Sequence, residues 1–240
     1  MATPILKVIT EYCEGYINDE RIAEVRESDP ALYLRNMWFY LRIAISLFNH
    51  PTEIQRYLVG TNDEPKLEEP SFADTSITAE ADIEGSETFA LGDGFKGYEL
   101  ASCRERVTEI NGRIGYYMVD FEYDPETGNV TVNGNYPEGT IFDFDFANDG
   151  EFSENLSGEI MDILGTGSGL AWREHFNADW LSIVSKVEDK SFKEQNRATD
   201  KRANTEQIEK MRMAFAGKMR RFEQNTYYKN RVPQMYRVNI

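Results

Sequence analysis

Apolar residues along the first sixty positions recur at helical spacing. Ile5, Ile9, Tyr12, Cys13 and Tyr16 fall on one face, and Thr3 followed by Pro4 reads as an N-cap and first helical residue, which predicts a helix over 4–17. Asp29–Pro30 repeats that start signal before Leu32, Leu34, Trp38, Leu41, Ile45 and Phe48. This second segment is apolar nearly all round and is expected at the centre of a helical frame. Pro51 opens a third helix ending near Gly60, with Ile54, Tyr57 and Leu58 as a short stripe. The periodicity is then lost. Residues 61–90 carry nine acids, one lysine and the prolines Pro65 and Pro70, a composition that predicts a loop or extended arm which orders only against a partner.

From about Arg104 to Phe146 the period becomes two. Val107 and Ile110 lead into Asn111–Gly112, a hairpin signal, and Ile114 to Tyr123 follows. Asp124–Pro125–Glu126–Thr127–Gly128 marks a second turn before Val130, Val132, Ile141, Phe142, Phe144 and Phe146. The run Gly165–Thr166–Gly167–Ser168–Gly169 reads as a flexible joint, after which Leu170, Phe176, Trp180, Ile183 and Val187 return to helical spacing. A last helix is expected near 204–224 on the stripe Ile208, Met211, Phe215, Met219 and Phe222, and the state of 189–203 stays open between helix and turn. Pro233 is expected to stop helix continuation. The fold class predicted is α+β: a helical frame (1–60 and 161–226), an acidic loop or arm (61–103), an antiparallel β insertion (104–160) and an extended C-terminal docking tail (227–240).

Composition narrows the class. A chain of 240 residues can bury roughly 70% of its unfolded surface, and 40% hydrophobic with 28% charged residues is ordinary for a globular protein. Cys13 and Cys103 fit no zinc, CxxC or disulfide spacing and are expected as reduced thiols. No signal-peptide pattern opens the chain, and the most apolar run, 31–48, contains Arg35, Asn36 and Arg42, so a cytosolic origin and no membrane span are expected. The net charge of −16 is uneven: residues 61–160 hold 24 acids and 5 bases, whereas 161–240 hold 10 acids and 15 bases.

Candidate chemistry is sparse. The glycine run lacks the Lys–Ser/Thr of a P-loop and the spacing of a dinucleotide site. Asp143, Asp145, Asp149, Gly150 and Glu151 suggest calcium, but counting from Asp145 puts Ala147 and Leu156 at ligand positions, so a solvated strand face is the better expectation. His50 and His175 suit capping or interface roles. Asp120 with Glu122 is one carboxylate pair among many, and serine-nucleophile motifs are absent. No catalytic, cofactor or metal site is expected. The candidate partner-binding residues are Tyr227, Tyr228, Lys229, Arg231, Met235, Tyr236 and Arg237, a basic and aromatic tail.

The helix Asp29–Pro30–Ala31–Leu32–Tyr33–Leu34–Arg35–Asn36–Met37–Trp38–Phe39–Tyr40–Leu41, the helix from Leu170, and the tail Tyr227–Tyr228–Lys229–Asn230–Arg231–Val232–Pro233–Gln234–Met235–Tyr236 together resemble head–tail connector (adaptor or ring) proteins of tailed bacteriophages, particularly of crAss-like phages. The resemblance lies in shape and composition over most of the chain. It implies a virion subunit assembled in the host cytoplasm, in a ring commonly of twelve copies. Such a ring docks to the portal protein and to the next connector or tail ring, and surrounds double-stranded DNA that passes without sequence-specific binding. It implies no enzyme activity. Another virion or scaffold subunit, a carbohydrate-binding module or glycosidase using the β segment, and a nucleic-acid-binding protein using the bases after Lys186 are the alternatives.

Overall fold

In a computed structural model the chain is an α+β protein, described for residues 2–17, 20–51, 53–108, 112–186 and 194–235. It divides into two compact units. One, the helical unit, comprises Met1–Asn18, Trp38–Glu68 and Glu151–Ile240; the other, the β unit, comprises Asp19–Met37 and Glu69–Gly150. This division cuts across the expected segments, because a helical stretch before residue 38 groups with the strands.

The helical unit opens with a short strand, β1 (Thr3–Pro4), then α1 (Ile5–Val8), a π-helical stretch (Ile9–Cys13) and α2 (Glu14–Ile17). Ile5, Ile9, Cys13 and Ile17 are buried, as the apolar spacing requires. Thr3 is not the cap expected. Its hydroxyl donates to the Glu154 carbonyl at 2.9 Å and accepts from the Leu156 N–H at 2.9 Å, so it fastens β1 instead. After α3 (Glu20–Ser28) comes α4 (Pro30–Leu47), and Asp29 caps it as expected, its carboxylate accepting from the Leu32 N–H at 3.0 Å. Then follow α5 (Ile54–Leu58) and β2 (Leu67–Glu68).

Residues 61–103 are not the loop or extended arm expected. They contain β2, β3 (Ser71–Thr78), β4 (Ile83–Ala90) and the start of β5 (Leu100–Thr108). Asp74 of β3 and Glu84 of β4 lie at exposed positions and Glu87 is half-buried, and the apolar surface that orders these strands comes from neighbours distant in sequence, which a composition argument cannot see. Beyond β5 run β6 (Ile114–Met118), β7 (Asp120–Asp124), β8 (Asn129–Tyr136), β9 (Ile141–Asn148) and β10 (Glu151–Phe152). β10 joins β1 and β2 in a small antiparallel sheet of the helical unit.

The β unit is built from two antiparallel sheets, ordered β3–β9–β5–β6 and β4–β8–β7. β5 and β6 pair as expected, Thr108 opposite Ile114; of the hairpin signal, Asn111 lies outside the described residues. Ile114 to Tyr123 is two strands in different sheets, separated at buried Val119, whose N–H reaches the Cys103 carbonyl at 3.2 Å. The turn at 124–128 forms as read: Asp124 accepts from the Glu126 N–H at 3.0 Å and the Thr127 hydroxyl at 2.6 Å, and Gly128 takes φ 71°. Phe142, Phe144 and Phe146 of β9 fill the core with Val130 and Val132 of β8, under Phe89, Tyr123 and Tyr136. Tyr136 meets Phe142 edge-on at 5.0 Å between centroids, and Tyr123 lies 5.1 Å from Phe146.

The chain ends in two long helices, α6 (Gly158–Lys186) and α7 (Glu194–Met235). The glycine run at 165–169 is not a joint. It lies inside α6, where a Cβ on Gly165 would stand 2.8 Å from the Tyr12 carbonyl oxygen and one on Gly169 would stand 2.8 Å from Tyr16 Cβ. These glycines let the amino-terminal helical run approach α6 at backbone distance. On α7 the expected stripe holds: Ile208, Phe215 and Met219 are buried, and Phe222 meets Phe48 at 5.9 Å. Lys218 on α7 donates to Tyr16 and Asp162 at 2.6 Å and to Thr166 at 2.9 Å. Of the stretch 189–203, residues 194–203 are helix and 189–193 lie outside the described residues. It continues through Pro233 to Met235, so the tail is not extended over 227–235. Proline removes one backbone donor, and that loss does not end a helix already propagated over many turns.

Candidate functional site

Alternation on β9 sets Asp143 and Asp145 on the face opposite the buried phenylalanines. That face is not solvated: Asp143 is 8% and Asp145 is 4% exposed. Each aspartate is met by an arginine from β5, two residues along from its register partner. Asp143 stands opposite Arg104 and binds Arg106; Asp145 stands opposite Ser102 and binds Arg104. The shared diagonal offset makes a two-rung ladder of arginine–carboxylate pairs. From β3, Ser76 donates to Asp143.

The amino-terminal end of α4 closes over this ladder. Arg35 places Nη1 3.2 Å from Asp145 and Nη2 3.5 Å from Asp74, with its guanidinium 5.3 Å from the Phe72 ring centroid. Buried Asp29 stands with Oδ2 3.3 Å from Arg104 Nε, without hydrogen-bond alignment, so that contact is Coulombic. The Ala31 N–H reaches buried Ser102 at 3.2 Å. Arg104 also covers one face of Tyr116 at 5.3 Å. A shallow cavity of about 300 Å³ opens among Arg35, Asp74, Ser76, Arg106, Tyr116 and Asp143.

The two aspartates titrate in opposite directions. Burial raises Asp143, but hydrogen bonds from Arg106 and Ser76 and the charges of Arg106 and Arg104 outweigh it, and its pKa falls below the usual carboxylate value. Burial raises Asp145 as well; there Arg104 and Arg35 do not offset it, with Asp29 and Asp74 nearby adding repulsion. Both thiols are pushed up to about 12, Cys13 and Cys103 alike, by burial first.

The ladder fixes a sheet face and a helix end to one another. Its acids are held by guanidinium groups and are not open to a cation; among the described residues no group of three His, Cys, Asp or Glu is arranged to hold a metal. Of the other candidates, Asp120 and Glu122 are exposed on β7. His50 is exposed, and His175 sits against Phe39 and Tyr40 at 5.9 and 6.0 Å. A second open cavity, about 330 Å³, lies among Glu53, Arg56, Tyr57, Thr61, Glu64 and Lys66. The backbone of Tyr227, Tyr228, Lys229, Arg231 and Met235 belongs to α7, while Tyr236 and Arg237 lie outside the described residues.

The arginine partners went unread in the sequence because a strand's diagonal neighbours are set by register, and register is not visible before pairing is known. The signal available was the alternation Arg104–Glu105–Arg106 facing Asp143–Phe144–Asp145. No helix among the described residues is long and apolar enough to cross a membrane. No family model, curated protein or solved structure matches this chain.

Proposed function

We propose that the chain is a structural subunit of a phage head–tail connector ring, docked to the portal and surrounding the DNA channel within the virion. The supporting observation is the electrostatics of the β unit. Residues 69–150 hold 18 acids and 4 bases. Arg104 and Arg106 are spent on buried aspartates, and Lys96 pairs with Asp93 at 2.5 Å. Exposed acids such as Glu80, Glu84, Asp120, Glu122 and Glu138 therefore dominate its surface. Such a surface repels phosphate over a Debye length of about 8 Å, which lets duplex DNA pass without adhering. Closure into a ring needs a head-to-tail contact between copies.

Negative-stain microscopy and light scattering of the purified chain, alone and with the portal protein encoded in the same genome, test this reading. Rings of uniform diameter, coaxial with the portal, are the expected result. A chain that stays monomeric alone and with the portal overturns it.

A further inference from the structure

The shallow cavity of about 300 Å³ beside the ladder is lined by three arginines, Arg35, Arg104 and Arg106, and by three aspartates, Asp74, Asp143 and Asp145. A fourth carboxylate, Asp29, is buried against Arg104 outside the lining. The lining therefore has no positive charge to spare, and the surface around it is acidic. An anion would meet no uncompensated cation there and would be repelled by the field of the β unit. A cation would find Asp143 and Asp145 already held by guanidinium groups. The charge balance leaves a ligand that is neutral and polar.

The open groups of the lining describe that ligand further. Arg106 donates from Nε to Asp143 at 2.8 Å and from Nη2 to Asp143 and to Ser76, the latter at 3.3 Å. Asp74 accepts from Arg35 through one carboxylate oxygen at 3.5 Å. Among the described residues, Arg106 Nη1, the second oxygen of Asp74 and the Tyr116 hydroxyl have no hydrogen-bond partner. They offer donors, an acceptor and a group that does both. Neighbouring hydroxyls on a ligand can answer them, one accepting from Arg106 while another donates to Asp74. The ladder already holds the Arg106 guanidinium in place, so binding orders little that is not ordered beforehand. Tyr116 adds an aromatic surface: Arg104 covers one side of its ring at 5.3 Å, and the residue is still 52% exposed. A pyranose ring matches both features, with C–H groups to set on the electron-rich ring face and hydroxyls around its edge. The volume lies at the lower end of ligand cavities, about 300–1,000 Å³, and suits one or two sugar units.

We infer that this cavity binds a neutral sugar unit, with the sugar ring against Tyr116 and its hydroxyls shared by Arg106 and Asp74. The inference is independent of the connector reading, since every group it uses lies on one face of one copy.

The full-length chain is titrated with glucose, galactose, mannose and N-acetylglucosamine, and with disaccharides of each, followed by saturation-transfer NMR and calorimetry. At least one should bind with a Kd on the order of 1 mM, the affinity of a small polar ligand at an open site. Tyr116→Ala and Asp74→Ala alter exposed side chains, and circular dichroism and melting temperature check that each variant folds. Each should weaken binding at least about tenfold, whereas Tyr116→Phe should keep most of it because the ring face remains. The uronic acid and the amino sugar that correspond to the best neutral sugar should bind more weakly than it does. Absence of binding by every sugar at about ten times that Kd overturns the inference, as does binding that both alanine variants leave unchanged. Tighter binding of the uronic acid overturns it in favour of an anion site, and equally strong binding of glycerol overturns the role given to the Tyr116 ring.

Discussion

Replacing Gly165 by alanine should destabilise the helical unit, although alanine is the better helix former. In an open helix interior the exchange gains about 0.5–1 kcal/mol. At Gly165 the new Cβ meets the Tyr12 carbonyl oxygen at 2.8 Å, its carbonyl carbon at 3.0 Å and its Cβ at 3.1 Å. Carbon atoms in good contact stand about 3.5–4.0 Å apart, so the helices must part by about half an ångström or more. Two of the three atoms are backbone and cannot turn aside. Overpacking of this kind costs about 1–3 kcal/mol, which against that gain leaves a net loss of up to about 2.5 kcal/mol, about 1 kcal/mol at mid-range. In a chain of this size a loss of about 1 kcal/mol lowers the melting temperature by about 2–4 °C. Gly169 meets Tyr16 in the same way, one turn on, and should behave alike. The double variant should cost less than the sum, because one separation relieves both clashes. Gly15 and Gly217 are helical glycines with nothing within 4 Å of an added Cβ, and alanine there should raise stability by about 0.5–1 kcal/mol. Urea unfolding followed at 222 nm compares the four single variants. Stabilisation by Gly165→Ala equal to that by Gly217→Ala would refute the close-packing account.

Lys218→Met should cost about 1 kcal/mol, since it breaks hydrogen bonds to half-buried Asp162 and Tyr16, and a double-mutant cycle with Asp162→Asn should show coupling between the two sites. Burial raises Asp162, but Lys218 and Tyr16 outweigh it and lower its pKa, so its contribution to stability is present above the unfolded-state value and is lost as pH falls through the folded one. Asp162→Asn should therefore flatten the acid limb of a stability–pH curve. Asp143→Asn should cost about 1–3 kcal/mol at neutral pH, measured by chemical denaturation, because Arg106 loses a charged acceptor that is nearly buried. Cys13 and Cys103 should resist a thiol reagent at pH 8 in the folded chain and both react in denaturant; rapid native labelling would contradict their burial and raised pKa.

The helical elements were legible where one face is apolar and the spacing local. Asp29–Pro30 announced a capped helix, and the Ile208 to Phe222 stripe announced the packed face of α7, because both are set by residues within a few turns. The strands of residues 71–90 were not legible. Their order depends on Phe142, Phe144 and the β8 valines, which lie forty or more positions away, so a local reading of acids and prolines pointed to a loop. The glycines of α6 misled for a related reason. Glycine has two uses, conformational freedom and close approach, and only the partner at Tyr12 and Tyr16 decides between them.

The candidate site turns on the same distinction between local and distant information. Asp143 and Asp145 stand out in the sequence as acids alternating with phenylalanine, and an alternating strand with one polar face is ordinarily read as half-solvated. Here the polar face is covered, because Arg35 arrives from α4 while Arg104 and Arg106 arrive from β5, and all three turn toward the carboxylates. That arrangement has an electrostatic consequence outside the ladder. Guanidinium groups engaged with buried aspartates cannot compensate acids on the surface, so the field of the β unit is set by Glu80, Glu84, Asp120, Glu122 and their neighbours. Against that acidic background, the uncharged strand Ile114–Met118 is the local exception, an exposed apolar edge.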